Sequence, residues 1–120
     1  MILVDTSVWV DHFRNGNAQL KAWLSDNEVV MHPFVIGELA CGSMRNRNEI
    51  LNLLSELPKA TVAEHGEVMT FVENNELYGT GIGWIDAHLV ASALLSKSGL
   101  MTLDKPLLKI ISILGLQPSK

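Results

Sequence analysis

Short, predominantly apolar runs alternate in this chain with longer stretches of helical spacing, and that order leaves few folds open. "ILV" at 2–4, "EVVMH" at 28–32 and "GLMTL" at 99–103 are too short for helices and lack the apolar-polar alternation of a half-exposed strand. Such runs read as strands buried on both faces, the kind that parallel sheets contain. "ATV" at 60–62 reads as a further short strand, and the tail "GLQPSK" is expected to add a short edge strand. Helices fill the intervals. Thr6 or Ser7 caps one from about Val8 to Phe13, "AQLKAWLSD" follows the turn signal "NGN", and Pro33 opens "PFVIGELACGSM". A polar helix runs from roughly Arg47 to Glu56 and stops before Pro58, while Thr61 and Glu64 have capping-box spacing ahead of a helix to about Asn75. The glycine-rich "YGTGIG" precedes an almost wholly apolar helix, "WIDAHLVASALLSK", and Asp104 caps "KPLLKIISIL". The alternation predicts an α/β fold, a single domain over residues 1–120 with a mostly parallel central sheet flanked by helices.

Of the thirteen Asp and Glu residues, most sit among other polar residues, as acids on solvated faces do. Four keep different company. Asp5 ends the strand "ILV", Glu38 is the only charge between Val29 and Met44, Asp86 is the only one between Ile82 and Ser96, and Asp104 follows "LMTL". An ionised carboxylate removed from water needs a cation, hydrogen-bond donors or an open cleft. Each has a purely structural use. Asp86 and Asp104 lie near helix N-termini, Asp5 can open a turn, and Glu38 can pair with an arginine. Their positions in the predicted fold favour a shared use instead, because ligands of parallel α/β sheets gather beyond the carboxyl ends of the strands. Asp5 and Asp104 stand at such ends, and Asp86 and Glu38 join them if their helices cross that rim.

Clustered carboxylates repel one another, and the remedy for an all-oxygen cluster is a hard divalent cation, Mg²⁺ or Mn²⁺. Such a site suits phosphodiester hydrolysis, since the ion lowers the pKa of the attacking water and neutralises charge on the phosphate and leaving oxygen. Zinc is not indicated: His12, His32, His65 and His88 lack paired spacing, and Cys41 is the only cysteine. The single cysteine fits a reducing compartment. No apolar run approaches the roughly 20 residues that span a bilayer, and the N-terminus lacks a signal-peptide pattern, so a cytoplasmic protein without a membrane partner is expected. Nine Lys and Arg leave a net charge of −4, the wrong sign for gripping long stretches of nucleic acid. Contacts with nucleic acid must then be local, dimeric or carried by metal ions.

These residues carry a resemblance. "MILVDTSVWVDHFR", "VIGELACG", "GIGWIDAHLVASA" and "LMTLDKPL" resemble, in order and spacing across essentially the whole chain, the acidic motifs of the PIN-domain ribonucleases, and specifically the VapC-like toxins of bacterial toxin-antitoxin pairs. The resemblance implies a PIN-like fold with the acids at one edge of the sheet. It makes Asp5, Glu38, Asp86 and Asp104 the metal-binding carboxylates. Thr102 takes the hydroxyl position of the Thr-x-Asp motif, supporting metal, water or substrate, and Thr6 stands as a hydroxyl neighbour of the first aspartate. The implied activity is Mg²⁺- or Mn²⁺-dependent endonucleolytic cleavage of RNA, with transfer or ribosomal RNA loops as substrates. The implied partners are a cognate antitoxin protein, whose C-terminal segment fills the cleft, and a second copy of the chain in a homodimer.

Other features promise less. "GTGIG" follows a helix and not the first strand, so it is a loop beside Asp86 that shapes RNA entry, not a dinucleotide fingerprint. Cys41 reads as core, and Trp9, Trp23 and Trp84 as core or dimer packing. Arg14, Arg45, Arg47 and Lys105 are the basic residues nearest the motifs and suit either phosphate contacts or a solvated face. So few cations imply about two to four phosphate contacts and a shallow salt dependence. Two other readings compete: a catalytically inactive module of the same fold that binds RNA or protein, and a phosphoacceptor signalling domain. The complete set of four acids argues against the first. The second requires paired acids after the first strand, where "DTS" supplies one.

Overall fold

In the computed structural model, which describes residues 1–119, a parallel sheet is formed by β1 (Ile2–Val4), β2 (Val29–Val30) and β3 (Gly99–Met101), in the order β2-β1-β3. β1 takes the middle because nothing in it has to meet water: Ile2, Leu3 and Val4 are all buried. Ile2 faces Val29 on one side and Gly99 on the other, Leu3 faces Val30 and Leu100, and Val4 faces Met101.

Seven helices surround the sheet among the described residues: α1 (Thr6–Asn15), α2 (Ala18–Ser25), α3 (Pro33–Cys41), α4 (Arg47–Ser55), α5 (His65–Asn74), α6 (Trp84–Ser96) and α7 (Lys105–Leu114). Their starts follow local chemistry. The Asn17 side chain accepts a hydrogen bond from the Leu20 N–H at 2.9 Å, and that of Asp104 accepts one from Leu107 at 3.1 Å. Pro33 stands in the first turn of α3, where its missing N–H costs nothing. Trp9, Leu20, Val35, Leu89 and Leu107 close over the sheet in one apolar core. α6 lies deepest, with every residue from Ala87 to Ala93 buried, which is why its sequence is apolar all round. Ala87 and Ala91 also form, with Ala63 and Val68, a smaller cluster that seats α5 on α6.

This topology gathers one rim. α1, α3 and α7 each begin just after a strand ends, and α6 runs back toward the start of β3. The first turns of all four helices therefore lie at the carboxyl end of the sheet. No helix of the described residues is long and apolar enough to cross a membrane.

Several local expectations give way to tertiary contacts. "ATV" at 60–62 is not a strand. Pairing shrinks to a single bridge between Met31 and Lys59, after which the Thr61 N–H goes to Ser96 Oγ at 2.8 Å and the chain turns away toward α5. The capping pair is shifted three residues along: Glu64 is the N-cap of α5, and its N–H donates to Glu67 Oε1 at 2.8 Å. α1 starts at Thr6, with Asp5 as an N-cap whose side chain caps nothing. Cys41 is exposed, so it is not core. Among residues 115–119 the tail forms no strand, and Lys120 lies outside the described residues.

The tail nevertheless covers the outer edge of β3. Leu100 N–H donates to Leu116 C=O at 2.8 Å, and a Cβ placed on Gly99 would lie 2.9 Å from Pro118 Cα. Gly99→Ala should push this segment off β3 and lower stability by about 1–3 kcal/mol, as overpacking does. Urea unfolding measures the change, and an unchanged midpoint would mean that the tail yields at no cost.

Candidate active site

Asp5 is where the rim is built. Its backbone N–H donates to Met101 C=O at 2.9 Å, one step beyond the β1–β3 register, so Asp5 and Thr102 emerge side by side. The Asp5 side chain is only 6% exposed and must be given donors. Thr102 Oγ1 donates to Asp5 Oδ2 at 2.5 Å and Ser7 Oγ donates to the same oxygen at 2.8 Å. Each hydroxyl is itself aimed by a backbone N–H: Asp104 N–H donates to Thr102 Oγ1, and Leu103 N–H donates to Ser7 Oγ, both at 3.0 Å. With both hydroxyl protons on Asp5, the 3.3 Å approach of Ser7 Oγ to Thr102 Oγ1 carries no hydrogen bond of its own. The turn after β3 thus holds one carboxylate oxygen of Asp5 through two hydroxyls and leaves Oδ1 to other partners.

The other acids stand around this point. Glu38, a turn and a half into α3, accepts a 2.6 Å hydrogen bond from Thr6 Oγ1, which ties it to the residue next to Asp5. Asp104 Oδ2 caps α7, so the helix-cap use foreseen for it is real. Its charge still reaches the rim. Asp86, in the first turn of α6, has its pKa pushed up to about 6, first by burial, then by the negative charges of Asp5, Asp104 and Glu38, against an opposing Gly83 backbone hydrogen bond. The other three acids singled out in the sequence therefore all bear on Asp86. Among the described residues, no three His, Cys, Asp or Glu side chains already stand as a metal-binding group. The donor set is wholly oxygen, which suits a hard divalent cation, and a positive charge there would oppose the burial and the neighbouring charges that raise the Asp86 pKa.

The loop from Gly79 to Gly83 fixes α6 against α7. Gly81 has φ +92°, and a Cβ there would lie 3.3 Å from Pro106 Cβ, so only glycine lets the loop close over the start of α7. On the other side of α6, a column of rings joins it to α3 and α5. His65 lies 5.0 Å from Trp84, Trp84 lies 4.8 Å from His88, His88 lies 4.7 Å from Phe34, and Phe34 lies 5.1 Å from His32, centroid to centroid. His32 Nδ1 accepts from Phe34 N–H at 3.0 Å, leaving Nε2–H for Ser92 Oγ at 3.1 Å. Burial, then His88, pushes its pKa down to about 4, and burial, then His65, lowers that of His88. These histidines pack α3 against α6. Trp9 and Trp23 are core as expected, whereas Trp84 is 39% exposed.

Ser7 went unrecognised as a site residue in the sequence, where it reads as a helix cap. The signal was present: two hydroxyls directly after a strand-ending aspartate serve the acids better than the helix. Of the basic residues, Arg47 is committed to Ala40 C=O through Nε at 3.2 Å and Nη2 at 2.8 Å. Arg14 and Arg45 line a cavity that also contains Glu38.

The crowding has a measurable signature. Because the folded pKa of Asp86 lies above its ordinary value of 3.8, the folded state holds more protons than the unfolded state between about pH 4 and 6. Stability of the metal-free protein should fall as pH rises through that window. Asp86→Asn, melted in EDTA, should raise Tm at pH 7.5, with the gain shrinking toward zero near pH 4. A pH-independent gain would rule out charge crowding as its cause. Thr102→Val, which removes a donor from buried Asp5 and an acceptor from the Asp104 N–H, should cost about 1–3 kcal/mol by the same melts.

Comparison with known proteins places this geometry in a family. The pattern described as "PIN domain" matches residues 2–111. Two relatives named "Ribonuclease VapC32", from Mycobacterium tuberculosis strains CDC 1551 / Oshkosh and ATCC 25618 / H37Rv, are each 46% identical to this chain over 108 residues, covering 89% of it and 87% of the relative. The expected fold class agrees with this match, with the acidic edge located at the carboxyl end of the sheet. The chain therefore belongs to the PIN-domain family, and within it is VapC-like.

Proposed function

We propose that this protein is a Mg²⁺- or Mn²⁺-dependent endoribonuclease, the toxin of a toxin-antitoxin pair acting in the cytoplasm. The observation that carries the reading is that Asp5, Asp104 and Glu38 all act on Asp86 at one rim, adding their charge to the burial that raises its pKa. The similarity to proteins named ribonuclease supports RNA as the polymer. In this reading Asp5, Glu38, Asp86 and Asp104 hold the cation. A bound divalent ion would supply an acidified water and neutralise charge on the phosphate and leaving oxygen.

The chain's own contribution is orientation. Thr102 and Ser7 keep Asp5 from rotating, so its Oδ1 is presented with one oxygen already committed. Thr6 restrains Glu38 in the same way. Such supporting hydrogen bonds reduce the rearrangement that binding an ion and a phosphate demands. The substrates in this reading are exposed loops of transfer or ribosomal RNA, whose unpaired backbone fits a rim better than a duplex does. An antitoxin with a basic segment would find the same negative rim, and a homodimer would place two such sites on one particle.

Incubation of the purified protein with a structured RNA pool in Mg²⁺, Mn²⁺ or EDTA, followed by mapping of the ends, tests the proposal. Discrete cuts should occur with either metal, vanish in EDTA and vanish with Asp86→Asn. Thr102→Val should cut about 10- to 100-fold more slowly, the usual cost of losing a residue that supports a ligand. No cuts in any lane, with no Mn²⁺ binding by calorimetry, would favour the inactive binding module instead.

A further inference from the structure

Next to the acidic rim lies a cavity of about 550 Å³ between α1, α3 and the segment leading into α4. Glu38 forms part of its wall, so the cavity shares one acid with the cluster. Phe13 and Met44, both half-buried against the core, line it with apolar surface. Arg14, from α1, and Arg45, from the segment before α4, line it as well. The chain has three arginines, and the third, Arg47, is committed to Ala40 C=O. Among the described residues Arg14 and Arg45 make no hydrogen bond or ion pair, not even with the Glu38 carboxylate in the same wall. Asn46, also in the lining, has a side chain that caps nothing.

We propose that this cavity is the subsite for the nucleotide next to the cut, with Arg14 and Arg45 holding its phosphate and the Phe13 and Met44 surface taking its base. The proposal rests on the ribonuclease reading and adds the substrate contacts that reading lacks. A polyanion approaching a protein of net charge −4 is attracted by the cation among the four carboxylates and repelled by the acids around it, so further cationic groups along its path assist its approach. Two guanidiniums without a protein partner, both in the lining of a cavity that includes Glu38, supply that charge, and a guanidinium is the side chain that pairs two phosphate oxygens at once. The volume lies within the range of small-ligand sites, and apolar or aromatic surface beside phosphate contacts is how single-stranded bases are seated. A protein segment bearing acids is the competing occupant. The Asn46 amide and the two arginines favour a nucleotide, which brings both a polar base edge and an anionic phosphate.

The test uses a fluorescein-labelled single-stranded RNA spanning a cut mapped above. Its affinity is measured against salt in the Asp86→Asn background, and kcat and KM are measured in the otherwise wild-type protein. Arg14→Gln with Arg45→Gln should weaken binding about tenfold or more. It should also flatten the slope of log K against log salt by roughly 0.7 for each phosphate that the arginines no longer neutralise. The effect should appear in KM more than in kcat. Arg14→Lys with Arg45→Lys should recover the slope but only part of the affinity. Both arginines are exposed, so thermal melts of the variants should match the parent. Unchanged affinity and slope would overturn the subsite and assign the cavity to a protein segment. So would an equal weakening from Lys21→Gln with Lys109→Gln, exposed lysines elsewhere on the surface. If the wild-type protein cut no RNA with either metal, the ribonuclease reading would fail and the subsite with it. Normal cutting with an indifferent double variant would overturn the subsite alone.

Discussion

The hydrogen bonds that Thr102 and Ser7 donate to Asp5 Oδ2 join the central strand, the first helix and the turn after β3 at one point, and the other carboxylates take their places around it. A carboxyl group as buried as Asp5 needs such donors. With them, its side chain becomes a fixed feature of the sheet's carboxyl end. The donors are in turn held by backbone N–H groups of Leu103 and Asp104, so the cradle depends on β3 keeping its register beside β1.

Holding like charges together has an energetic consequence that the apolar core must offset. Asp86 sits at the start of a helix otherwise buried from Ala87 to Ala93, and that helix cannot retreat into water to relieve the repulsion. Burial first, and then the neighbouring charges, raise the Asp86 pKa to about 6. Leu3, Val4, Leu89, Leu100 and Leu107, all fully buried, supply the compensating burial directly beneath the rim. Stability given up at a site and recovered in the core beneath it is a common division in proteins whose sites must receive a ligand of opposite charge.

The ring column and the glycine loop set the separation of the helices that carry these acids. His32, Phe34 and His88 pack the start of α3 against α6, while Gly81 lets the preceding loop close on Pro106 at the start of α7. His32 and His88, residues of a type suited to metal or proton chemistry, here fill space between helices, because burial lowers their tendency to ionise. The two arginines left unpaired in the cavity beside Glu38 contrast with Asp5, Glu38 and Asp104, whose side chains all have hydrogen-bond partners.

Local chemistry was enough to read much of this protein from its sequence. Unbroken apolar runs such as Ile2–Val4 mark buried strands, Pro33 and Asp104 mark helix starts, and isolated acids among apolar neighbours single out Asp5, Glu38, Asp86 and Asp104 as site candidates, because burial cost and capping act over a few residues. Tertiary contacts decided the rest. "ATV" lost its strand when Ser96 captured the Thr61 N–H, Ser7 turned from helix cap to Asp5 donor because Thr102 arrived beside it, and Cys41 came to the surface with the end of α3. Whether Asp86 and Glu38 would meet Asp5 was likewise a question of helix packing. Sequence spacing sets which face of a helix carries a charge, but only the packing of helices on the sheet sets which charges come close enough to repel.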